Sequence, residues 1–412
     1  MEIDGKLLIT RLHTGEQEQI VSAFYENGKA VEISCTMASE KQLLGNIYIG
    51  KVKNILTNIE AAFVEIAGGV LCYYSLRENR HPIYIKEKKN QKLAQGDELL
   101  VQVSREAVGT KAPTVTCNLN FSGKYLVLTT EKKQLGLSSK LSAEEKHRLR
   151  LIAEPFLTEE FGVIVRTNAA GSLEEELREE LKRLTEQYRS TVLYGKHQSC
   201  FSLIYRDPPG YAVGIRNLSK NCLSEIVTDD HEIYGVLQDY LTANQPEDLQ
   251  KLRFYDKEQL GLDTLYGISR ELENALRERI WMKSGAYLVI QPTEALTVID
   301  VNTGKYVGHK KMRETFFKIN CEAAAEIARQ LRLRNLSGII VADFIDMDEA
   351  EDRDRLMEFL GKELKKDPVK TVLVDMTPLG LVEITRKKVR KSLREQVRKA
   401  RGFLLPGDKG LS

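Results

Sequence analysis

Residues 3–35 alternate apolar and polar side chains, and Glu26-Asn27-Gly28 supplies a hairpin turn, so the chain opens on a small antiparallel unit. From 43 to 118 the runs shorten to NIYIGKVKNIL, EAAFVEI and DELLVQVSRE, separated by Gly and Asn turns. Short strands at such close spacing predict a small closed barrel. Residues 119–215 mix strands (KYLVLTT, FGVIVRT) with a helix opening at Ser172, where Ser172 and Glu175 read as a capping box ahead of Leu173, Leu177, Leu181 and Leu184. Residues 216–280 are polar and amphipathic and carry no sharp motif. From Ala286 the pattern becomes α/β. AYLVIQ and ALTVIDV precede a long helix from about Lys311 to Arg334; GIIVADFIDM, a helix from about Glu349 to Lys365, and KTVLVDMT follow.

At 412 residues the chain is long enough for two or more domains, and 42% hydrophobic with 29% charged residues fits a folded globular protein. A net charge of +2, from 61 basic and 59 acidic residues, announces no partner by itself. No run approaches the roughly 18 apolar residues of a membrane span, and MEIDGKLLITRL has no signal-peptide core. Six cysteines without a C-x-x-C pair point to the reduced cytoplasm and away from a zinc knot or disulfide frame.

The sharpest chemistry lies in LTVIDVNTGKYVG (296–308), where a core strand ends on Asp300 and Asn302. A second apolar strand, 338–342, ends on Asp343, with Asp346 beyond it. One helical crossover joins the two strands, which places them parallel with their carboxyl ends on one side, where open α/β sheets hold ligands. Two acids there repel unless a cation lies between them, and carboxylate and amide oxygens are the hard ligands magnesium prefers. Alone, either acid reads as a turn cap or a solvated strand end; the pair reverses that balance. A phosphate-loop reading of TGKYVG fails, because Ile299 stands where the first glycine belongs and Tyr306 replaces Ser/Thr.

In the barrel region Tyr48, Phe63, Tyr73 and Tyr74 alternate with Lys51, Lys53 and Lys111, a pairing of rings for bases with cations for phosphates. The plain reading of Phe63, between Ala62 and Val64, is an ordinary core position. Residues 386–401 (RKKVRKSLREQVRKAR) hold nine basic residues and one acid, with Val389, Leu393 and Val397 at helical spacing, which would leave the basic faces open as a phosphate track.

These stretches resemble the ribonuclease E/G family, more closely its G branch. The resemblance is carried by EALTVIDVNTGKYVG (294–308), EAAAEIARQLRLRNLSGIIVADFIDM (322–347) and MTPLGLVEITRKKVRKSL (376–393), with NIYIGKV…IEAAFVEI and FSGKYLVL…GVIVRT in support. It implies a magnesium-dependent endoribonuclease that cuts single-stranded RNA in rRNA processing or mRNA decay, leaving 5′-phosphate and 3′-hydroxyl ends and preferring 5′-monophosphorylated substrates. The implied fold is α/β and multidomain. An RNase H-like subdomain (1–35 and 216–279) is split around an OB-fold barrel (36–118) and a 5′-sensor subdomain (119–215). A DNase I-like catalytic subdomain (280–400) and a short tail (401–412) follow. By motif position Asp300 and Asp343 would bind Mg2+ and Asn302 would orient water or phosphate. Gly123, Val127, Arg166 and Thr167 would sense the 5′-phosphate, and Phe63, Tyr73 and Lys111 would contact RNA. The family's C-P-x-C zinc link and small C-terminal domain do not follow Arg401, which argues against a zinc-linked dimer and leaves the oligomeric state open. By the resemblance, Ser138-Ser139-Lys140 stands where some members carry arginines beside the sensor, and Thr377-Pro378-Leu379 replaces an arginine-bearing turn of the E branch. The rival reading is a non-catalytic RNA-binding regulator with structural acids.

Overall fold

The computed structural model describes residues 4–401, apart from 15–16, 39–41, 87, 89, 91, 108–110, 219–221, 257–259 and 305–311. Two compact units emerge, one from residues 1–40, 218–239 and 247–412, the other from 41–217 and 240–246. The short tail beyond Arg401, on which the zinc expectation rests, lies outside the described residues.

Strands β1 (Gly5–Thr14), β2 (Gln17–Glu26) and β3 (Lys29–Met37) form an antiparallel meander turned at Asn27-Gly28, both at positive φ. That is the conformation a two-residue hairpin turn demands.

The second unit holds the barrel. Its strands are β4 (Ile47–Leu56), β5 (Ala61–Ile66), β6 (Val70–Ser75), β7 (Ile83–Tyr84), β8 (Glu98–Arg105) and β9 (Thr114–Thr116). The ladder runs β4-β5-β6-β9-β8, and β8 pairs back onto β4 to close a five-stranded, OB-like barrel. Every second residue points inward: Val52, Val64, Ile66, Cys72, Tyr74, Val101, Val103 and Val115 are buried. A four-stranded sheet follows, made by β10 (Asn120–Ser122), β11 (Leu126–Thr129), β12 (Leu135–Leu137) and β13 (Gly162–Val165), with α1 (Ala143–Ala153) between β12 and β13. Helix α2 (Glu174–Gly195) buries Leu177, Leu181 and Leu184 as its periodicity requires. Its start differs from the sequence expectation. Leu173 is the cap residue, Glu176 rather than Glu175 reaches back to the Leu173 N–H at 2.9 Å, and the Ser172 hydroxyl donates to the Ala169 carbonyl. β14 (Leu203–Tyr205) joins β4, and α3 (Gly210–Asn217) closes the unit.

Residues 216–280, featureless as sequence, supply β15 (Glu225–Thr228), α4 (His231–Asn244), β16 (Leu252–Phe254), α5 (Leu262–Tyr266) and α6 (Ile268–Leu276). β15 pairs parallel with β1, and β16 with β15, completing a sheet of order β16-β15-β1-β2-β3.

The last segment builds a six-stranded sheet. Its elements are β17 (Arg279–Trp281), β18 (Tyr287–Pro292), β19 (Leu296–Asn302), α7 (Met312–Leu333), β20 (Gly338–Asp343), α8 (Ala350–Lys365), β21 (Thr371–Met376), β22 (Leu381–Arg386) and α9 (Leu393–Arg401). The order is β17-β18-β19-β20-β22-β21, parallel between β19 and β20 and antiparallel elsewhere. One face packs Leu288, Ile290, Ile299, Ile340, Ala342, Val382 and Ile384 against Ala323, Ile327 and Leu331 of α7 and Leu356 and Leu360 of α8. The other face, with Val298, Asp300, Ile339 and Asp343, is exposed. Two expectations about the tail need correction. β22 follows the Thr377–Gly380 turn and inserts between β20 and β21, and it ends on a buried Arg386 that belongs to no open track. In α9 Leu393 and Val397 are fully buried, but Val389 precedes the helix and is 54% exposed, so the three do not share a face. Among the described residues no helix is long and apolar enough to cross a membrane.

Candidate active site

Asp300 and Asp343 are direct partners in the parallel β19–β20 ladder, about 4.8 Å apart at the backbone. Directly opposed residues point to the same face, and both carboxylates lie on the exposed one. Asn302, two residues further along β19, shares that face, and its side-chain N–H donates to Asp300 Oδ2 at 2.7 Å. The Asp343 carboxyl is pushed above the ordinary carboxylate range, first by desolvation and then by the charges of Asp300 and Asp346.

The loop after β20 is held by a residue that periodicity hid. Asn320, fully buried in α7, donates to the Ile345 carbonyl at 2.8 Å and accepts from the Ile345 N–H at 3.1 Å. This two-way bond fixes the backbone between Asp343 and Asp346. Its one sequence signal was a polar amide on the otherwise apolar face of a core helix.

The expected sensor residues all lie in the second unit, where Arg166 bonds Gly123. Gly123 lies in the turn between β10 and β11, Val127 is half-buried on β11, and Arg166 and Thr167 follow β13. Arg166 donates to the Gly123 carbonyl at 2.7 Å and to Asn217 Oδ1 at 2.5 Å, and its own N–H bonds the Tyr125 carbonyl. Burial and the Arg216 charge pull its pKa down to about 10, so it stays cationic at neutral pH. The Thr167 and Ser138 hydroxyls are 2.8 Å apart, within hydrogen-bond distance of each other. Sequence reading missed Glu180. This buried carboxylate of α2 accepts the successive N–H groups of Lys124, Tyr125 and Leu126 at 2.8, 2.8 and 2.6 Å. Gly123 is required there, because a Cβ would come within 2.4 Å of that carboxylate.

On the barrel, Phe63 and Tyr73 are cross-strand partners, half-buried, with rings edge-to-face at 6.4 Å. Tyr73 donates its N–H to the Pro113 carbonyl, and Lys111, two residues before that proline, is exposed. Tyr48 and Tyr74 are 5% and 0% exposed and belong to the barrel core, which removes them from the aromatic surface the sequence suggested. Lys53 pairs with Glu65 at 2.6 Å.

Compared with known protein families, residues 120–389 match the ribonuclease E/G family. The chain is 35% identical over 382 residues to Ribonuclease G of Haemophilus influenzae, covering 90% of this chain and 78% of that protein. It is 33% identical over the same length and shares to Ribonuclease G of Escherichia coli strain K12. Against Ribonuclease E of Nostoc sp. the identity is 34% over 388 residues, 92% of this chain and 56% of that one. Similarity at this level, spread over nine-tenths of the residues, leaves one conclusion: the chain belongs to the ribonuclease E/G family.

Proposed function

We propose that this chain hydrolyses phosphodiester bonds of single-stranded RNA at Asp300 and Asp343 with magnesium, leaving 5′-phosphate and 3′-hydroxyl ends, and that it prefers 5′-monophosphorylated substrates in rRNA processing or mRNA decay. The observation that carries this reading is the pairing of Asp300 with Asp343 on an exposed sheet face. Two carboxylates and an adjacent amide are a hard oxygen donor set. Among the described residues no three acidic, His or Cys side chains converge, and a magnesium ion that keeps several waters needs only one or two carboxylates. Bound there, magnesium would acidify a water and neutralise phosphate charge. Asp300 and Asp343 would hold it, and Asn302 keeps the Asp300 carboxylate oriented through its 2.7 Å bond. Phe63 and Tyr73 offer ring faces to bases while Lys111 meets the phosphates.

Arg166 and Thr167 supply a cation and a hydroxyl for a terminal phosphate. The order β16-β15-β1-β2-β3, a meander followed by parallel strands, supports the RNase H-like reading of the first sheet. The α7- and α8-backed sheet supports the DNase I-like one. Six free thiols fit a reducing cytoplasm. The test is a 5′-monophosphorylated single-stranded oligonucleotide incubated with and without magnesium, with product ends identified. Magnesium-dependent cuts bearing 5′-phosphates support the reading. Tight binding with no cleavage at any magnesium concentration would make the chain a binding protein instead.

A further inference from the structure

The exposed face of the six-stranded sheet carries a feature that this reading leaves unused. Trp281, the one tryptophan of the chain, is 63% exposed on the edge strand β17. The ladders set it opposite Tyr287, and Tyr287 opposite Asn302. The next row on that face is Arg279, Val289, Asp300 and Asp343. Tyr287 therefore lies diagonal to Asp300, about 7–8 Å away at the backbone. The Trp281 and Tyr287 rings are 5.0 Å apart and tilted by 54°, and the Arg279 guanidinium sits 4.7 Å from the Tyr287 centroid. Tyr287 is thus held by two neighbours while most of the indole stays in water.

The hairpin that bears these rings is fixed to the catalytic strand. Gly304, at φ +66°, approaches Gly285 of the β17–β18 turn so closely that a Cβ would come 2.2 Å from the Gly285 carbonyl oxygen. The Lys283 N–H donates to Glu322 of α7 at 2.9 Å. The rings are thereby positioned relative to Asn302 and Asp300 by backbone rather than by a mobile loop.

We propose that Trp281, backed by Tyr287 and Arg279, is a base-stacking platform for an unpaired nucleotide flanking the one cut at Asp300 and Asp343. The proposal rests on the nuclease reading and deepens it. An exposed indole beside a guanidinium suits a nucleobase, whose face stacks and whose phosphate is anionic. Continuity with the carboxylates selects RNA as the occupant over a second copy of the chain, because Asp300, Asn302 and Asp343 on the same face would be costly to bury against protein.

The experiment uses Trp281 as its own probe. In chelator, where the RNA survives, indole emission is followed during titration with a single-stranded oligoribonucleotide, and binding is read in parallel by anisotropy of a labelled 3′ end. Saturable quenching that tracks the anisotropy is expected, with much less quenching when the nucleotide next to the cleavage position is abasic. With magnesium, Trp281→Ala should lower kcat/KM roughly five- to hundredfold, while Trp281→Phe keeps most of it. Binding without quenching, or emission that changes with protein concentration alone as two copies associate, overturns the platform. Turnover without quenching overturns the platform and leaves the nuclease reading intact; quenching without turnover supports the platform and defeats the catalytic assignment.

Discussion

Asp300 faces Asp343 across the parallel β19–β20 ladder, each at the exposed end of its strand. Two carboxylates at that spacing repel, and a cation held between them would relieve the repulsion. Asp300→Asn and Asp343→Asn should therefore each lower single-turnover cleavage by about a hundredfold or more, since loss even of an outer-shell partner costs 10–100-fold. RNA affinity in chelator should stay within about twofold of wild type. Normal cleavage by either variant would end the assignment.

Desolvation of Asp343, with the charges of Asp300 and Asp346 behind it, sets a pH and metal signature. The Asp343 pKa is raised in the folded chain, so the folded state holds more protons than the unfolded one between the two pKa values. Stability contributed by this group is lost as pH rises through that window. In chelator, Asp343→Asn should be at least as stable as wild type at neutral pH and lose that advantage below the ordinary carboxylate pKa of about 4. Magnesium should raise the wild-type Tm, by an amount equivalent to about 2.7 kcal/mol at a hundredfold excess over Kd, and leave the Asn variant unmoved. The half-saturating magnesium concentration should climb as pH falls. Thermal scans across pH with and without the metal decide this, and equal magnesium shifts in both proteins would count against the site.

Arg166 spends its guanidinium donors on the Gly123 carbonyl and Asn217, which orders the turn it would use to read a terminal phosphate. A charge-assisted contact is worth about 1.5–3 kcal/mol, so 5′-monophosphorylated RNA should be cut roughly ten- to hundredfold faster than its 5′-hydroxyl twin. Arg166→Ala should erase the difference without changing the rate on the 5′-hydroxyl substrate. A wild-type enzyme indifferent to the 5′ end would remove the sensor.

What the sequence disclosed followed from strong periodic signals. ALTVIDV and GIIVAD, joined by one amphipathic helix, were legible as parallel neighbours, and from that alone Asp300 and Asp343 came together. The two-residue Asn27-Gly28 turn declared the β2–β3 hairpin. β15 and β16 were not legible, because strands of four and three residues carry too few alternations to rise above a polar background. β22 was hidden by charge: Glu383 and Arg386 flank its apolar positions, and the basic run beginning at Arg386 has the composition of a surface helix. Tyr48 and Tyr74 could not be separated from Phe63 and Tyr73 by residue type. Only barrel closure decides which rings face inward. Asn320 and Glu180 bond to backbone N–H and carbonyl groups, and such partners leave no trace in side-chain patterning.

Arg386 opens the basic run in sequence but lies in the interior of the fold. It is 4% exposed, and its Nε donates to Asp367 Oδ2 at 2.7 Å, while Nη1 reaches Asn335 Oδ1 at 2.8 Å and the Leu336 carbonyl at 3.0 Å. The pair ties the end of β22 to the loop after α8 and to the turn between α7 and β20. Removing one partner strands the other charge in the interior, which typically costs about 3–5 kcal/mol. Arg386→Ala and Asp367→Ala should both lower the denaturation midpoint steeply. For the fraction that remains folded, RNA affinity and its salt dependence should match wild type, because Arg386 neutralises a carboxylate and not a phosphate. The neighbouring Lys387 and Lys388 are exposed; where they contact a single strand, each alanine substitution should reduce the slope of log K against log salt by about 0.7 with little loss of stability. Chemical denaturation and salt titration on the same set of variants separate the two roles. A destabilised Arg386→Ala with a reduced salt slope would return the residue to the RNA surface.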